Sequence, residues 1–252
     1  MVTMTPIIYD HKCSRRLDNQ TMKAKTIKIL FWALIWTALQ MPLLMSSEIR
    51  STALAAESGL TLEQILDRLE KHYTDNNFKA EFIQESTVKA MEISDFASGK
   101  MFVRYPGKMR WEYEKPEKQV IITDGLKLWI YRPADNQVMT GSAPAFFSDG
   151  QGASFLSDIA LVRKKFQITL GKSKDDFFYE LKLKPLEKTL DVTDIRLSVT
   201  KNTFTVIRVI TFNSYGDENR IEFLNHKFKA DLKDALFSFE APEGADVLQM
   251  DE

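Results

Sequence analysis

The chain has 252 residues, of which 27% are charged and 44% hydrophobic, and its 34 basic and 35 acidic side chains leave a formal net charge of −1. This balance does not favour a nucleic-acid partner, which attracts a clustered positive surface. The only cysteine is Cys13, so the chain cannot depend on an internal disulfide.

The N-terminal segment has the three parts of a secretory signal peptide. Basic residues follow Met22, an apolar run extends over 29–45, and Ala53 and Ala55 come next with Ala-x-Ala spacing. This pattern predicts export with cleavage after Ala55, and it makes Met22 a candidate true start. The alternative is an uncleaved membrane anchor, which Pro42 and a run shorter than about 20 residues disfavour.

Cleavage at that point would divide the chain into an N-terminal extension with its signal peptide, residues 1–55, and a single domain, residues 56–252. The domain would have 197 residues with 27 basic and 32 acidic side chains, which is enough chain for one core. It would contain no cysteine that could be acylated. Its apolar runs are all shorter than a membrane span, so we expect a soluble exported domain.

The first predicted element of this domain is an amphipathic helix. Thr61 and Gln64 have the spacing of a capping box, which marks the helix start. The apolar residues that recur at helical spacing are Leu62, Ile65, Leu66, Leu69 and Tyr73. After the helix, apolar and polar residues alternate over 78–82, 101–105 and 109–113, which predicts half-buried strands.

A hairpin is predicted at Asp124-Gly125, because this dipeptide lies between two runs with high strand propensity. A two-residue turn would pair Thr123 with Leu126 and Ile121 with Leu128. Directly opposed residues share a face of the sheet. One face of the hairpin would then carry three apolar residues, namely Ile121, Leu128 and Ile130.

The alternation stops between Gly141 and Lys165, where a glycine-bearing loop and a short amphipathic helix with Ile159 and Val162 are predicted. Three phenylalanines of this segment would be costly to expose and must cover something: Phe146, Phe147 and Phe155. Two interpretations remain open. The segment is either a mobile lid over an apolar cavity or an ordinary crossover helix that plugs one end of a barrel, and the sequence slightly favours the second.

Strands resume in the C-terminal half of the chain. The predicted ranges are 166–170, 177–183, 195–200, 205–212 and 220–229, with a last strand at 237–239 before a turn at 241–244. Short strands at this spacing are typical of an antiparallel meander that closes partly into a barrel. We therefore expect a mainly β fold with short helices, in the α+β class.

Signals for catalysis or metal binding are poor. His72 and His226 lie at no metal-ligand spacing from another histidine or from a cysteine, and we expect both to face solvent. There is no Gly-x-Ser-x-Gly nucleophile motif. Gly150-Gln151-Gly152 lacks the third glycine and the preceding strand of a dinucleotide-binding loop. We expect neither enzymatic activity nor a cofactor or metal.

A series of residues between Leu62 and Val138 has a recognisable order and spacing. It comprises Phe82-Ile83-Gln84, Gly99, Pro106-Gly107, Arg110-Trp111, Pro116, Asp124-Gly125, Leu128-Trp129-Ile130-Tyr131 and Gln137-Val138. On these residues the chain resembles the LolA-type periplasmic carriers of outer-membrane lipoproteins, although the match is weak in the C-terminal half.

The resemblance implies a half-open antiparallel β-barrel under a lid of short helices, with an apolar cavity that holds lipoprotein acyl chains. It also implies a periplasmic location and three partners: acylated lipoproteins, an inner-membrane transporter that releases them and an outer-membrane receptor that accepts them. We expect the carrier to be a monomer. A carrier of a free lipid or glycolipid is the main alternative, because an apolar pocket specifies little about a head group.

Carrying such cargo requires an apolar lining. An acyl chain of roughly fifteen methylenes costs about 12 kcal/mol to expose to water, at about 0.8 kcal/mol per methylene. Thioethers and an indole adapt well to flexible chains. The residues that we expect to line the cavity are Met101, Val103, Met109, Trp111, Ile121, Leu128 and Ile130, together with Phe146, Phe147 and Phe155 of the lid segment.

One position departs from the family pattern. The resemblance implies an arginine immediately before the proline, where its hydrogen bonds help to hold the lid closed. Here that position is Tyr105, and Arg104 lies one residue earlier. Adjacent strand residues point to opposite faces, so Arg104 cannot simply replace the missing latch. We expect a lid that opens more easily.

Overall fold

One β-sheet organises the part of the chain that the structure describes. The structure is a computed structural model, and it describes residues 59–146, 156, 159–173, 175–187 and 191–250. The predicted signal peptide, Phe147 and Phe155 lie outside these residues, as does the side chain of Phe146. None of the helices in the described ranges is long and apolar enough to cross a membrane.

The helices and strands lie close to where the apolar pattern of the sequence predicts them. The helices of the described residues are α1 (Leu62–Thr74), α2 (Ala143–Phe146) and α3 (Ala160–Lys165), with short 3-10 helices at Pro133–Asp135 and Asp234–Phe237. The strands are β1 (Phe78–Val88), β2 (Ile93–Arg104), β3 (Lys108–Lys115), β4 (Gln119–Asp124), β5 (Lys127–Arg132), β6 (Gln137–Ser142), β7 (Phe166–Gly171), β8 (Phe178–Pro185), β9 (Asp194–Thr200), β10 (Val206–Phe212), β11 (Glu218–Phe228) and β12 (Asp246–Gln249). The strands predicted in the C-terminal half up to residue 229 are confirmed within two residues at each end.

The sheet is open and almost entirely antiparallel. Its strand order is β12-β6-β5-β4-β3-β2-β1-β11-β10-β9-β8-β7 among the described residues. The pairing of β12 with β6 is parallel, and the other neighbouring strands run antiparallel. The predicted mainly β class is therefore confirmed. The closure into a half-barrel and the helical lid stay predictions.

The start of α1 has the predicted capping box. Thr61 Oγ1 accepts a hydrogen bond from the Gln64 N–H at 3.3 Å, and Gln64 Oε1 accepts one from the Thr61 N–H at 2.9 Å. These two bonds satisfy two backbone donors that the first helical turn leaves without partners. The residues of α1 that pack on the sheet are Ile65, Leu66, Leu69 and Tyr73, and each is at most 5% exposed.

The face of the sheet that α1 covers is called the inner face here, and the opposite face the outer face. Paired residues of β1, β2 and β3 on the inner face are buried, as for Phe78 opposite Val103 and Met101 opposite Trp111. The main hydrophobic core joins this face to α1, Ile159 and Val162. The inner face of the sheet is therefore the floor of the core, and the helices are its cover.

The predicted register of the β4–β5 hairpin is wrong by two residues. Thr123 pairs with Leu128, and Ile121 pairs with Ile130. The reason is that side chains close a longer turn: Asp124 Oδ1 accepts hydrogen bonds from the N–H groups of the two residues before Leu128, each at 2.8 Å. Because the shift is even, the predicted face is preserved, and Ile121, Leu128 and Ile130 still share one side of the sheet.

The predicted strand at 237–239 is also wrong. The alternation Phe-Ser-Phe indicated a strand, but a 3-10 helix covers Asp234–Phe237 and the last strand is β12. Arginine side chains hold the backbone just before the predicted strand against the outer face: Arg104 donates to the Leu232 carbonyl at 2.9 Å, and Arg110 donates to the Leu236 carbonyl at 3.3 Å. This segment therefore crosses the outer face as a strap instead of adding a strand there.

The strap, defined as residues 231–250, is fixed at both ends. Near its start Phe237 is 1% exposed, and the Arg104 guanidinium lies 5.1 Å from the centre of the Phe237 ring. Further along, the ring centres of Phe239 and Tyr131 of β5 are 5.5 Å apart. The strap ends in β12, beside β6 at the edge of the sheet. It therefore spans the outer face from β2 to β6.

Gly99 allows β2 and β3 to approach closely, and this generates a stability prediction. A Cβ atom at Gly99 would lie 1.9 Å from the Glu112 carbonyl oxygen and 3.0 Å from the Phe82 ring. We expect Gly99→Ala to lower the free energy of unfolding by about 3 kcal/mol, because backbone atoms must move. Gly59→Ala is the matched control, since no atom lies within 4 Å of its Cβ position. Urea unfolding curves of the two variants that coincide would contradict the prediction.

Candidate ligand-binding site

Four of the predicted lining residues form one continuous apolar surface. Met101 and Val103 of β2 pair directly with Trp111 and Met109 of β3. All four side chains are at most 3% exposed and belong to the main core. The period of two along each strand places them together on the inner face. The structure thus brings these four residues together on the floor beneath the cover.

Two further predicted residues form a smaller apolar cluster beside the first. Leu128 and Ile130 of β5 are buried with Ala143, the first residue of α2. Ile121 of β4 is partly buried and packs against both clusters. Ile121 therefore joins the two apolar clusters on the inner face, and the buried Thr123 lies beside them.

The cover of this surface consists of α1, Leu156 and the region that begins α3. Leu156, Ile159 and Val162 are buried in the main core, so the predicted amphipathic character of this segment is confirmed for these residues. In the described residues α2 follows β6 directly, and α3 leads into β7 at one edge of the sheet.

One arginine ties α3 to α1. Arg163 donates to Glu63 at 3.1 Å and to Asp67, and its Nε lies 3.4 Å from a carboxylate oxygen of Glu70. These three acids lie along one side of α1. Solvent-exposed ion pairs are typically worth at most about 1 kcal/mol each. The two covering helices are therefore linked to each other by contacts that are easily broken.

The described packing between the cover and strands β7, β8 and β9 leaves little space. A void of about 10 Å³ lies between α1, α3 and strands β7, β8 and β9. Such a volume holds at most one water molecule. The residues that line it include Leu66 and Leu69 of α1, Val162 of α3, and Leu181 and Leu197 of the sheet. A hydrocarbon chain can therefore enter between these elements only when the helices move away.

The two residues at the predicted latch position point in different directions. Arg104 reaches the strap on the outer face, where it bonds to the Leu232 carbonyl and to Asp234. Tyr105 lies in the turn after β2 and is 39% exposed. Among the described residues, its hydroxyl has no hydrogen-bond partner. Arg104 thus forms its hydrogen bonds with the strap, whereas the Tyr105 hydroxyl forms none with the described residues.

The expectation that both histidines face solvent is wrong. His72 of α1 and His226 of β11 are half-buried next to Phe228, with ring centres 4.2 Å and 5.9 Å from that of Phe228. The buried Nε2 atom of His226 has no hydrogen-bond partner within the described ranges. Burial lowers the pKa of His72 and that of His226. In the same part of the chain, no group of three or more histidine, cysteine or acidic side chains is arranged to hold a metal ion.

A polar network on the inner face was missed by the sequence analysis. The Tyr113 hydroxyl donates to Gln84 Oε1 at 2.9 Å, and Gln84 Nε2 donates to Asn219 Oδ1 at 2.9 Å and to Ser86 Oγ at 3.2 Å. Burial raises the pKa of Tyr113 to about 12. The alternation that predicts β1 also places Gln84 and Ser86 on the same face as Phe82, so their position could have been predicted.

Comparison with known proteins gives consistent relatives. The model of the family described as "Outer membrane lipoprotein carrier protein LolA" matches residues 74–240. A protein of Coxiella burnetii (strain CbuK_Q154) named outer-membrane lipoprotein carrier protein is 29% identical over 202 residues, which cover 79% of this chain and 91% of that protein. A protein of the same name from Chromobacterium violaceum is 30% identical over 172 residues, which cover 68% and 81%.

Among solved structures, this chain is similar to an uncharacterized conserved protein from Thermus thermophilus. The TM-score is 0.50 at 15% sequence identity, and the match covers 75% of this chain and 98% of that protein. At this level of identity the likeness concerns the fold alone.

The half-buried histidines generate a prediction about pH. Because their pKa values are lower in the folded state than the usual 6.5, the unfolded chain binds more protons as the pH falls through 6.5. The free energy of unfolding should therefore be smaller at about pH 5.5 than at about pH 7.5. Urea unfolding at both pH values measures the difference. The double variant His72→Gln, His226→Gln is the control, and an equal pH dependence in it would contradict the assignment.

Proposed function

The chain belongs to the LolA family of outer-membrane lipoprotein carrier proteins, and we propose that it binds lipoprotein acyl chains on its inner face and shuttles lipoproteins from the inner to the outer membrane. The observation that supports this proposal most directly is the continuous apolar surface formed by Met101, Val103, Met109 and Trp111 beneath helices that are separate from the sheet. The cargo class is an acylated lipoprotein. The carrier acts in the periplasm as a monomer.

In this proposal the acyl chains replace the cover. The four core-facing side chains of α1 contribute roughly 6–12 kcal/mol when buried, at about 1.5–3 kcal/mol each. An acyl chain of about fifteen methylenes gains about 12 kcal/mol from the same transfer. The two free energies are of the same order. Exchange of α1 for cargo is then nearly balanced, which is what a carrier that must also release its cargo needs.

The same balance of free energies sets what each of the two transfer partners must provide. An inner-membrane transporter must supply the free energy that brings the acyl chains out of the membrane, because exposure of each chain to water costs about 12 kcal/mol. An outer-membrane receptor then needs only a somewhat better apolar site to accept them. Phe146, Phe147 and Phe155 are proposed to move with the cover and to contact the cargo, with Ile121, Leu128 and Ile130 as the continuation of the lining.

The latch of the cover is proposed to be weak. Arg104 is engaged by the strap through the Leu232 carbonyl at 2.9 Å, so it does not hold the helices. Tyr105 can donate one hydrogen bond but has no charge and no fork of donors. The cover of this chain therefore opens more easily than one that an arginine holds at position 105.

Photo-crosslinking tests the binding surface. We expect Trp111→p-benzoylphenylalanine to crosslink to a synthetic triacylated lipopeptide at least about tenfold more than the same substitution at Phe102, because Trp111 lies on the inner face and Phe102 on the outer face of the adjacent strand. The labelled lipopeptide is detected on gels after irradiation. Equal yields at both positions would contradict the proposal, and displacement of the lipopeptide by free phospholipid alone would favour the free-lipid alternative.

Cargo release tests the latch. We expect Tyr105→Arg to slow the release of a fluorescent triacylated lipopeptide to acceptor vesicles several-fold, because a guanidinium supplies charged hydrogen bonds to the cover. Tyr105→Phe is the control and should release at the parent rate or faster. Stopped-flow fluorescence measures these rates. If the arginine variant released its cargo as fast as the parent, position 105 would not control the cover.

A further inference from the structure

The polar network of Gln84, Ser86, Asn219 and Tyr113 interrupts an otherwise apolar surface. Phe82 precedes it on β1, and the Tyr113 ring lies 4.9 Å from the Phe82 ring in an edge contact. Toward the opposite end of β1 the inner face is apolar through Phe78, a distance of about 13 Å at the rise of a strand. The inner face therefore has an apolar region long enough for most of an acyl chain, and a polar region at one end.

The donors and acceptors of the network are ordered so that Asn219 is the final acceptor. Tyr113 donates to Gln84 Oε1, which leaves Gln84 Nε2 to donate to Asn219 Oδ1 at 2.9 Å. The Ser86 hydroxyl also donates to Asn219 Oδ1, at 3.1 Å. The oxygen of Asn219 is thus fully used, while its Nδ2 amino group has no acceptor among the described residues. The network presents a fixed pair of N–H donors.

These donors lie beside a cavity. A volume of about 360 Å³ is lined by Ser86, Thr87, Thr211, Asn213 and Asn219, with Val88 and Val192 as apolar neighbours. Hydroxyls and amides predominate in this lining. A ligand group that accepts hydrogen bonds without carrying charge fits it.

The charges of the described residues at the cavity disfavour anions. The ionisable residues that line it are Asp191, Asp217 and Glu218, and its described lining includes no basic side chain. Glu218 pairs with Arg220 at 2.7 Å, so the excess negative charge comes from the two aspartates. Hydrogen bonds from the Asn213 side chain and the Lys89 N–H lower the pKa of Asp217 and keep it ionised. A phosphate or a free carboxylate would be repelled.

We propose that this cavity binds the neutral ester and amide carbonyls through which acyl chains are attached to a lipoprotein, with Asn219 as the donor and the chains extending along the inner face past Phe82. The inference rests on the proposed function and adds what the site recognises in the cargo. Bound cargo would shield the Asn219 N–H donor from water. If the cargo offers no acceptor, the unpaired donor costs binding free energy, so a ligand that lacks the carbonyls is disfavoured. The carrier would thus distinguish an acylated lipoprotein from an anionic free lipid.

The test compares two synthetic lipopeptides with identical chains. One carries its chains as esters, and the other carries them as ethers that lack the carbonyl oxygens. We expect the wild-type protein to bind the ester lipopeptide about tenfold more tightly, as one or two net hydrogen bonds would give. Isothermal titration calorimetry or fluorescence displacement measures both affinities.

Two variants test the proposed donor with little change in volume, one by removing it and one by loosening the network that fixes it. Asn219→Asp deletes the N–H groups and keeps the shape, and Tyr113→Phe deletes the hydroxyl that fixes Gln84. We expect Asn219→Asp to bind both lipopeptides equally and Tyr113→Phe to lose about half of the preference on a logarithmic scale. Glu222→Gln is the control on the outer face of β11 and should keep the full preference. Urea unfolding verifies that each variant is folded.

The outcomes separate the inference from the proposed function. If the wild-type protein binds ester and ether lipopeptides equally, or if Asn219→Asp keeps the preference, carbonyl recognition at this cavity is overturned while the carrier function stands. If neither lipopeptide binds to the wild-type protein, the carrier function itself is overturned. A tenfold preference that Asn219→Asp removes and Glu222→Gln keeps supports both.

Discussion

The fold depends on the burial of the inner face of one open sheet. A sheet that is apolar on one side must be covered, because each exposed apolar side chain costs about 1.5–3 kcal/mol. Here α1 and α3 provide the cover, and Ile65, Leu66 and Leu69 are at most 5% exposed in it. The packing is close enough to leave a void of only about 10 Å³ near α3. The stability of the fold and the proposed binding of acyl chains thus depend on the same surface.

Under the proposed function, this shared surface sets the energetic conditions for the transport of acyl chains. A cavity that stayed open would expose its lining to water in the absence of cargo, and a lining that bound chains far better than it binds α1 would not release them. The Arg163 contacts with Glu63, Asp67 and Glu70 join the covering helices to each other. In the proposed exchange with cargo, these contacts would help to keep α1 and α3 together while they leave the sheet. The apolar floor, with Met101 and Trp111 at its centre, is then available to hydrocarbon.

The local apolar pattern of the sequence predicted most of the strands. The features that it did not predict depend mainly on contacts that the pattern does not contain. Alternation located β7 to β11 and assigned Val103, Met109 and Leu128 to the correct face, since the side-chain period of a strand is two. The register of the β4–β5 hairpin depended on how Asp124 closes the turn, which the dipeptide Asp-Gly does not determine. The burial of His72 depends on Phe228, which lies far along the chain. The network at Gln84 likewise depends on Asn219, and no local sequence motif predicts that contact.

The strap would have a mechanical consequence for the proposed entry of acyl chains. It crosses the outer face from Arg104 to β12, and its contacts with β2, β3 and β6 add restraints on this half of the sheet. Strands β1 and β7 to β11 lie beyond it, and the sheet edge at β7 has no strand beside it among the described residues. Compliance is therefore unequal around the sheet. The half with β2 to β6 would then resist deformation. If cargo needs more space than movement of the helices provides, the half with β1 and β7 to β11 would have to deform.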